Sequence, residues 1–281
     1  MGEDRHSAFR RAVEGPDDRI DLGRAALAIA EDEYPRLQPE VYLARVDALA
    51  SRARDLSSGE TGPYRLIAAV NYVLFTQEGF RGNRDDYYDP RNSFLNDVIE
   101  RRLGIPITLS VLYMEVARRA GLELRGVGFP GHFLVEYAGA EEETGRVVID
   151  AYDRGEVLWV EELQKILDGL YGAGKVAFRP EFLAPVTNRQ ILQRMLNNLK
   201  SIYLRKESLS PALSASERLV ILDPGSAPEV RDRGLLYLKL DRFEQANADL
   251  EKYLELAPDA ADAGDIREHL EELKKGALRL H

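Results

Sequence analysis

Between residues 203 and 258 the chain repeats itself at one fixed interval, and this constrains its fold more than any other feature. Tyr203-Leu204 recurs as Tyr237-Leu238, Leu209 as Phe243, and Ala212 as Ala246, each 34 residues on. Leu222-Asp223-Pro224 returns as Leu256-Ala257-Pro258 at the same offset. One offset shared by several positions marks a copied supersecondary unit, and a 34-residue unit is two helices joined by a turn. About two such units and a final helix over 262–275 are present. Fewer than ~3 units rarely bury enough surface to stand alone, so the array is expected to pack against the preceding chain. Thr187 followed by Gln190 is a capping-box pattern that opens a helix to about residue 206.

Composition narrows the function classes. Hydrophobic residues make up 44% and charged residues 31% of the 281, as in an ordinary globular protein. Thirty-eight basic against 48 acidic residues give a net charge of −10, which repels phosphate backbones; no nucleic-acid partner is expected. The short basic pairs Arg101-Arg102 and Arg118-Arg119 sit beside acids and read as solvated helix faces. The chain has no cysteine, which excludes disulfides and thiolate metal sites. His6, His132, His269 and His281 are scattered without ligand spacing, so no metal is expected. No phosphate-binding glycine loop, HExxH or GxSxG is present, and no cofactor is expected. No apolar run reaches the ~18 residues of a membrane span, and MGEDRHSAFRRAVEG lacks a signal-peptide core. The expected location is the cytoplasm, with no membrane partner.

The first 186 residues read as α+β. Apolar spacing predicts helices over 25–34, where Pro35 stops the pattern, from Pro39 onward, and over 65–78 after a polar break at 57–63. Asn92-Ser93 offers an N-cap for a helix over 92–102 that ends at Gly104. Pro106 suits the first position of a helix over 106–120, whose apolar stripes leave only Thr108, Glu115, Arg118 and Arg119 clearly polar. After Gly121 the period becomes two, with strands predicted over 125–129, 132–137 and 146–150. The last two flank an acidic turn over 138–145 and form a hairpin. Counting inward from the loop ends brings His132 to within one residue of facing Asp150, where Cβ atoms lie ~5 Å apart.

The stretch NSFLNDVIERRLGIPITLSVLYMEVARRAGLELRGVGFPGHFLVEY from Asn92, followed by VVIDAYDRG from Val147, resembles the transglutaminase-like core of the bacterial SirB-type family. Members of that family end in tetratricopeptide repeats. The resemblance implies a papain/transglutaminase-like core with a helical N-terminal region over 1–186, and an all-α tetratricopeptide-like array over 187–281. That superfamily joins a helix-start Cys to a His and an Asp on neighbouring strands. It makes His132 the general base and Asp150 its orienter. The Cys position falls on Pro106, which has no nucleophilic atom. Thr108 and Ser110, within a turn of it, are the remaining candidates, although a hydroxyl needs far more activation than a thiol. The resemblance also draws in Gly82, Asn83, Asn92, Asn96 and Tyr113, whose chemistry suits turns, caps and packing. The implied function is a non-catalytic interaction or regulatory module, a pseudoenzyme engaging a protein or peptide through its repeat surface or old groove. The alternative is a hydrolase or acyl transferase using Thr108 or Ser110 with His132 and Asp150. Oligomeric state is not set by the sequence.

Overall fold

The computed structural model describes residues 6–57, 62–139 and 146–277. Two compact units are distinguished, one built mainly from Ser7–Met195 and the other from Leu196 onward. Among the described residues no helix is long and apolar enough to cross a membrane.

The first unit opens with helices α1 (Ser7–Ala12), α2 (Leu22–Ala28), α3 (Pro39–Ser57) and α4 (Pro63–Asn71). Asp21 caps α2 by accepting the Arg24 N–H at 2.9 Å. This helix stops at Ala28, short of the expected 25–34, because 29–34 fold into turns ahead of Pro35. After α4 the chain widens into a π-helical turn over Tyr72–Gln77, so the helix expected over 65–78 is two kinds of helix joined end to end. The polar break lies partly outside the described residues, at 58–61.

Short strands β1 (Arg81–Gly82) and β2 (Leu103–Gly104) pair in parallel and bracket α5 (Leu95–Arg101). Asn92 and Ser93 do not cap this helix. A 3-10 turn, Pro90–Asn92, precedes it, and Arg102 in the left-handed region (φ 58°) ends it before Gly104 is reached.

Helix α6 (Pro106–Ala120) is the centre of the unit. Residues 106–117 are all buried, including the Thr108 and Glu115 that read as polar in the sequence. Glu115 escapes an unpaired burial because Arg118 and Arg119 reach its carboxylate. Gly121 (φ 104°) terminates the helix in the left-handed conformation that glycine adopts freely.

Strands β3 (Arg125–Val127), β4 (Leu134–Ala138), β5 (Arg146–Asp150), β6 (Glu156–Leu158) and β7 (Pro185–Val186) form one antiparallel sheet in the order β6-β5-β4-β3-β7. Val127, Leu134, Val148 and Leu158 on one face pack with Leu163 and Leu167 of α7 (Val160–Tyr171). Two strands begin or end differently from expectation. Pro130 and Gly131 turn the chain, with the His132 N–H on the Phe129 carbonyl at 3.0 Å, so β3 stops at Val127 and β4 starts at Leu134. The acidic turn of the hairpin lies outside the described residues at 140–145.

Helix α8 (Asn188–Arg205) starts with the expected capping box: Gln190 Oε1 accepts the Thr187 N–H at 2.9 Å, and Thr187 Oγ1 accepts the Gln190 N–H at 3.2 Å. The array continues as α9 (Leu209–Leu222), α10 (Ala227–Lys239), α11 (Phe243–Leu256) and α12 (Ala263–Ala277). The matched positions are structurally equivalent. Tyr203 and Tyr237 lie near the ends of α8 and α10, and Ala212 and Ala246 are fully buried in α9 and α11. Each copied Pro follows the end of its helix.

Candidate functional site

Asp150 ends β5, and the turn after it folds back on its side chain. Asp150 Oδ1 accepts the backbone N–H groups of Tyr152 (2.9 Å) and Asp153 (3.3 Å), and Oδ2 accepts from His132 Nε2 at 2.7 Å. Three contacts fix the orientation of this carboxylate. With Nε2 donating to this carboxylate, a neutral ring presents its lone pair at Nδ1. Nδ1 makes no hydrogen bond among the described residues.

The pair expected from hairpin spacing is therefore made, but not across the ladder. Ile149 stands opposite Val135, which leaves His132 beyond the end of β4, in the bend that follows Gly131. His132 reaches Asp150 diagonally from a loop. Its carbonyl is held by Arg194 of α8 at 2.6 Å, and that guanidinium also lies 5.4 Å over the Phe133 ring. Burial holds the Arg194 guanidinium below its ordinary pKa.

A cleft of about 380 Å³ opens beside the pair, lined by Arg84, Pro130, Gly131, His132, Asp150, Tyr152, Asp153, Ile166, Gly169 and Leu170. One wall is thus apolar, from α7 and Pro130, and the other polar. Tyr152 sets the polar wall. Its ring meets that of His132 edge-on at 6.0 Å, and the Arg84 guanidinium lies 5.5 Å over its face. Arg84 also pairs with Asp153 at 3.2 Å. Burial chiefly raises the Tyr152 phenol pKa, so the group stays neutral. The ring lies flat over Gly82, where a Cβ would come within 2.3 Å of it.

No residue of α6 lines this cleft. Pro106, which the resemblance placed at the nucleophile position, is buried. Thr108 is fully buried and donates its hydroxyl to the Asn92 carbonyl at 2.7 Å while accepting the Ile105 N–H at 3.1 Å. Ser110 is fully buried and donates to the Phe133 carbonyl at 3.4 Å. The two hydroxyls that the resemblance left as candidate nucleophiles are thus engaged in helix capping and packing. Their placement follows from α6 being enclosed on all sides, which a stripe count underestimates.

Of the other residues singled out by resemblance, Gly82 and Asn83 support the cleft through Tyr152. Asn83 Nδ2 donates to Asn92 Oδ1 at 3.0 Å, and Asn92 Nδ2 donates to the Asp86 carbonyl at 2.7 Å. Tyr152 reaches the Asn83 carbonyl at 3.4 Å. Gly82 accommodates the Tyr152 ring, and Asn96 and Tyr113 are buried in the helical core, where burial pushes the Tyr113 phenol far up. Sequence reading missed Arg84, Arg194, Leu170 and Asn71. Among the described residues, no group of three or more His, Asp or Glu could hold a metal ion.

This fold and site define a transglutaminase-like domain joined to helical repeats. Residues 40–197 match the transglutaminase-like superfamily and residues 199–271 a tetratricopeptide repeat. The chain belongs to that superfamily, and within it to the UPF0162 proteins, the bacterial branch that the SirB-type resemblance pointed to. It is 40% identical to a UPF0162 protein of Xylella fastidiosa over 94% of both chains, and 31% identical to one of Vibrio cholerae over 86% of this chain and 88% of the other. It is also 39% identical to F-box only protein 21 of Mus musculus over 152 residues, which is 50% of this chain and 22% of that protein.

Proposed function

We propose that this protein is an interaction module that holds a segment of a partner protein without turning it over, in the cytoplasm. The observation that carries the reading is the content of the cleft. It offers an oriented imidazole, a guanidinium, an aromatic ring and an aliphatic wall, but, among the described residues, no serine or threonine. Such a lining suits recognition: a few fixed polar groups give orientation, and apolar surface supplies affinity. Recurrence of the domain as 22% of a much longer F-box only protein supports a portable block. The tetratricopeptide repeats supply a second surface of a kind that mediates protein–protein contact. Hydrolysis or acyl transfer through Thr108 or Ser110 loses its support, since both hydroxyls are enclosed and bonded to main-chain carbonyls.

The test places a photo-crosslinking residue at Leu170 in the intact protein and identifies the captured partner and the linked segment. The reading expects one partner segment, lost when His132→Ala or Arg84→Ala is added. Capture that is indifferent to both variants, or release of a cleaved or modified segment, would overturn it.

A further inference from the structure

The Asp150 carboxylate owes its aim to the turn that follows it, and that turn is gripped from a distant part of the chain. Gly155 donates its N–H to the Asp150 carbonyl at 2.8 Å, closing the turn, and adopts a left-handed φ of 76°. From 84 residues earlier, Asn71 Nδ2 donates to the Gly155 carbonyl at 2.8 Å. The fit admits no side chain: a Cβ on Gly155 would lie 2.1 Å from Asn71 Oδ1. That Oδ1 is buried with no hydrogen-bond partner among the described residues. An amide with one half unsatisfied is a poor choice for packing alone, where an apolar side chain carries no such penalty. The donor half is what the position uses.

Asn71 is also the last residue of α4 before the π-helical turn, a form found frequently at functional sites. Phe75 within that turn stacks on Tyr113 of α6, with centroids 6.1 Å apart and planes at 15°. The grip on Gly155 is therefore anchored to the central helix.

We infer that Asn71 and Gly155 form a positioning brace for the His132–Asp150 pair: the Asn71 amide fixes the 150–155 turn, the turn aims the carboxylate, and the carboxylate sets the imidazole tautomer. The functional value of the brace rests on the reading of the cleft as a binding site, but its physical existence does not depend on a partner.

The experiment is nitrogen and proton NMR of the His132 ring in the full-length protein, its signals assigned with His132→Gln. Asn71→Asp is the deciding variant, because it keeps the side-chain shape and removes the donor. The expected result is Nε2–H exchange at least ten-fold faster, with a ring shifted toward a mixture of tautomers. Leu49→Ala, a core truncation in α3, is expected to lower the melting temperature and leave both ring signals unchanged. Ring signals unaltered in Asn71→Asp would overturn the brace while leaving the binding reading intact. Altered signals beside a cleft that captures nothing would overturn only the binding reading.

Discussion

The repeat array and the cleft-bearing unit were written into the sequence in opposite ways. In the array, the copied positions meet neighbouring helices. Gly234 of α10 lies against Leu250 of α11, and Tyr237 donates to Glu217 of α9 at 2.9 Å. In the cleft, the decisive contacts join residues far apart, Asn71 to Gly155 across 84 positions and Arg194 to His132 across 62. Local information shows as periodicity, and long-range information does not. The comparison explains why a 34-residue offset revealed the array and only a resemblance revealed the cleft.

The largest expected effect is on cooperativity. A fragment of residues 187–281 holds too few units to fold strongly, and is expected to lack a sharp thermal transition. Calorimetry showing an independent, cooperative melt would mean that the array is self-sufficient.

Single substitutions sharpen the contrast. Thr108→Val removes a buried hydroxyl that serves both the Asn92 carbonyl and the Ile105 N–H, leaving two main-chain groups unmatched. Denaturant unfolding is expected to show a loss of about 2 kcal/mol. A loss below about 0.5 kcal/mol would return Thr108 to the pool of free hydroxyls. Gly234→Ala should cost about 1–3 kcal/mol through overpacking, because the new Cβ would sit 2.9 Å from the side chain of Leu250, which is fully buried, and 3.1 Å from the Asp249 Cβ.

The smallest effect is a pH response confined to the array. Burial, and then Glu217 beside it, push the Tyr237 phenol up to about 12. A raised folded pKa means the folded state keeps its proton longer, so the stabilisation is full below pH ~10 and fades between pH ~10 and 12. Tyr237→Phe should flatten the stability curve over that window, and an unchanged alkaline slope would contradict the assignment.

Much of the fold was legible because its signals are local. Proline and glycine punctuation placed α6 correctly, and alternation located β5 to the residue. His132 and Asp150 were legible as a pair, since hairpin spacing brings their chain positions close whatever the register. Their geometry was not: Pro130-Gly131 displaces His132 from its strand, and only the carboxylate's side-on reach restores the contact at 2.7 Å. The status of Thr108 and Ser110 was hidden because burial of α6 depends on every element around it, and Arg84, Arg194 and Leu170 carried no local mark at all.

The proposed non-catalytic reading requires that a group at Pro106, which lies outside the cleft lining and which the resemblance placed at the nucleophile position, does not meet the His132 imidazole. The direct measurement is the alkylation rate at pH 6 of a Pro106→Cys variant, alone and combined with His132→Ala. A buried thiol with an ordinary pKa near ~8.5 is mostly protonated at that pH and reacts slowly. Slow alkylation that His132→Ala leaves unchanged is the expected result. Fast alkylation abolished by His132→Ala would show a working thiol–imidazole pair and contradict it.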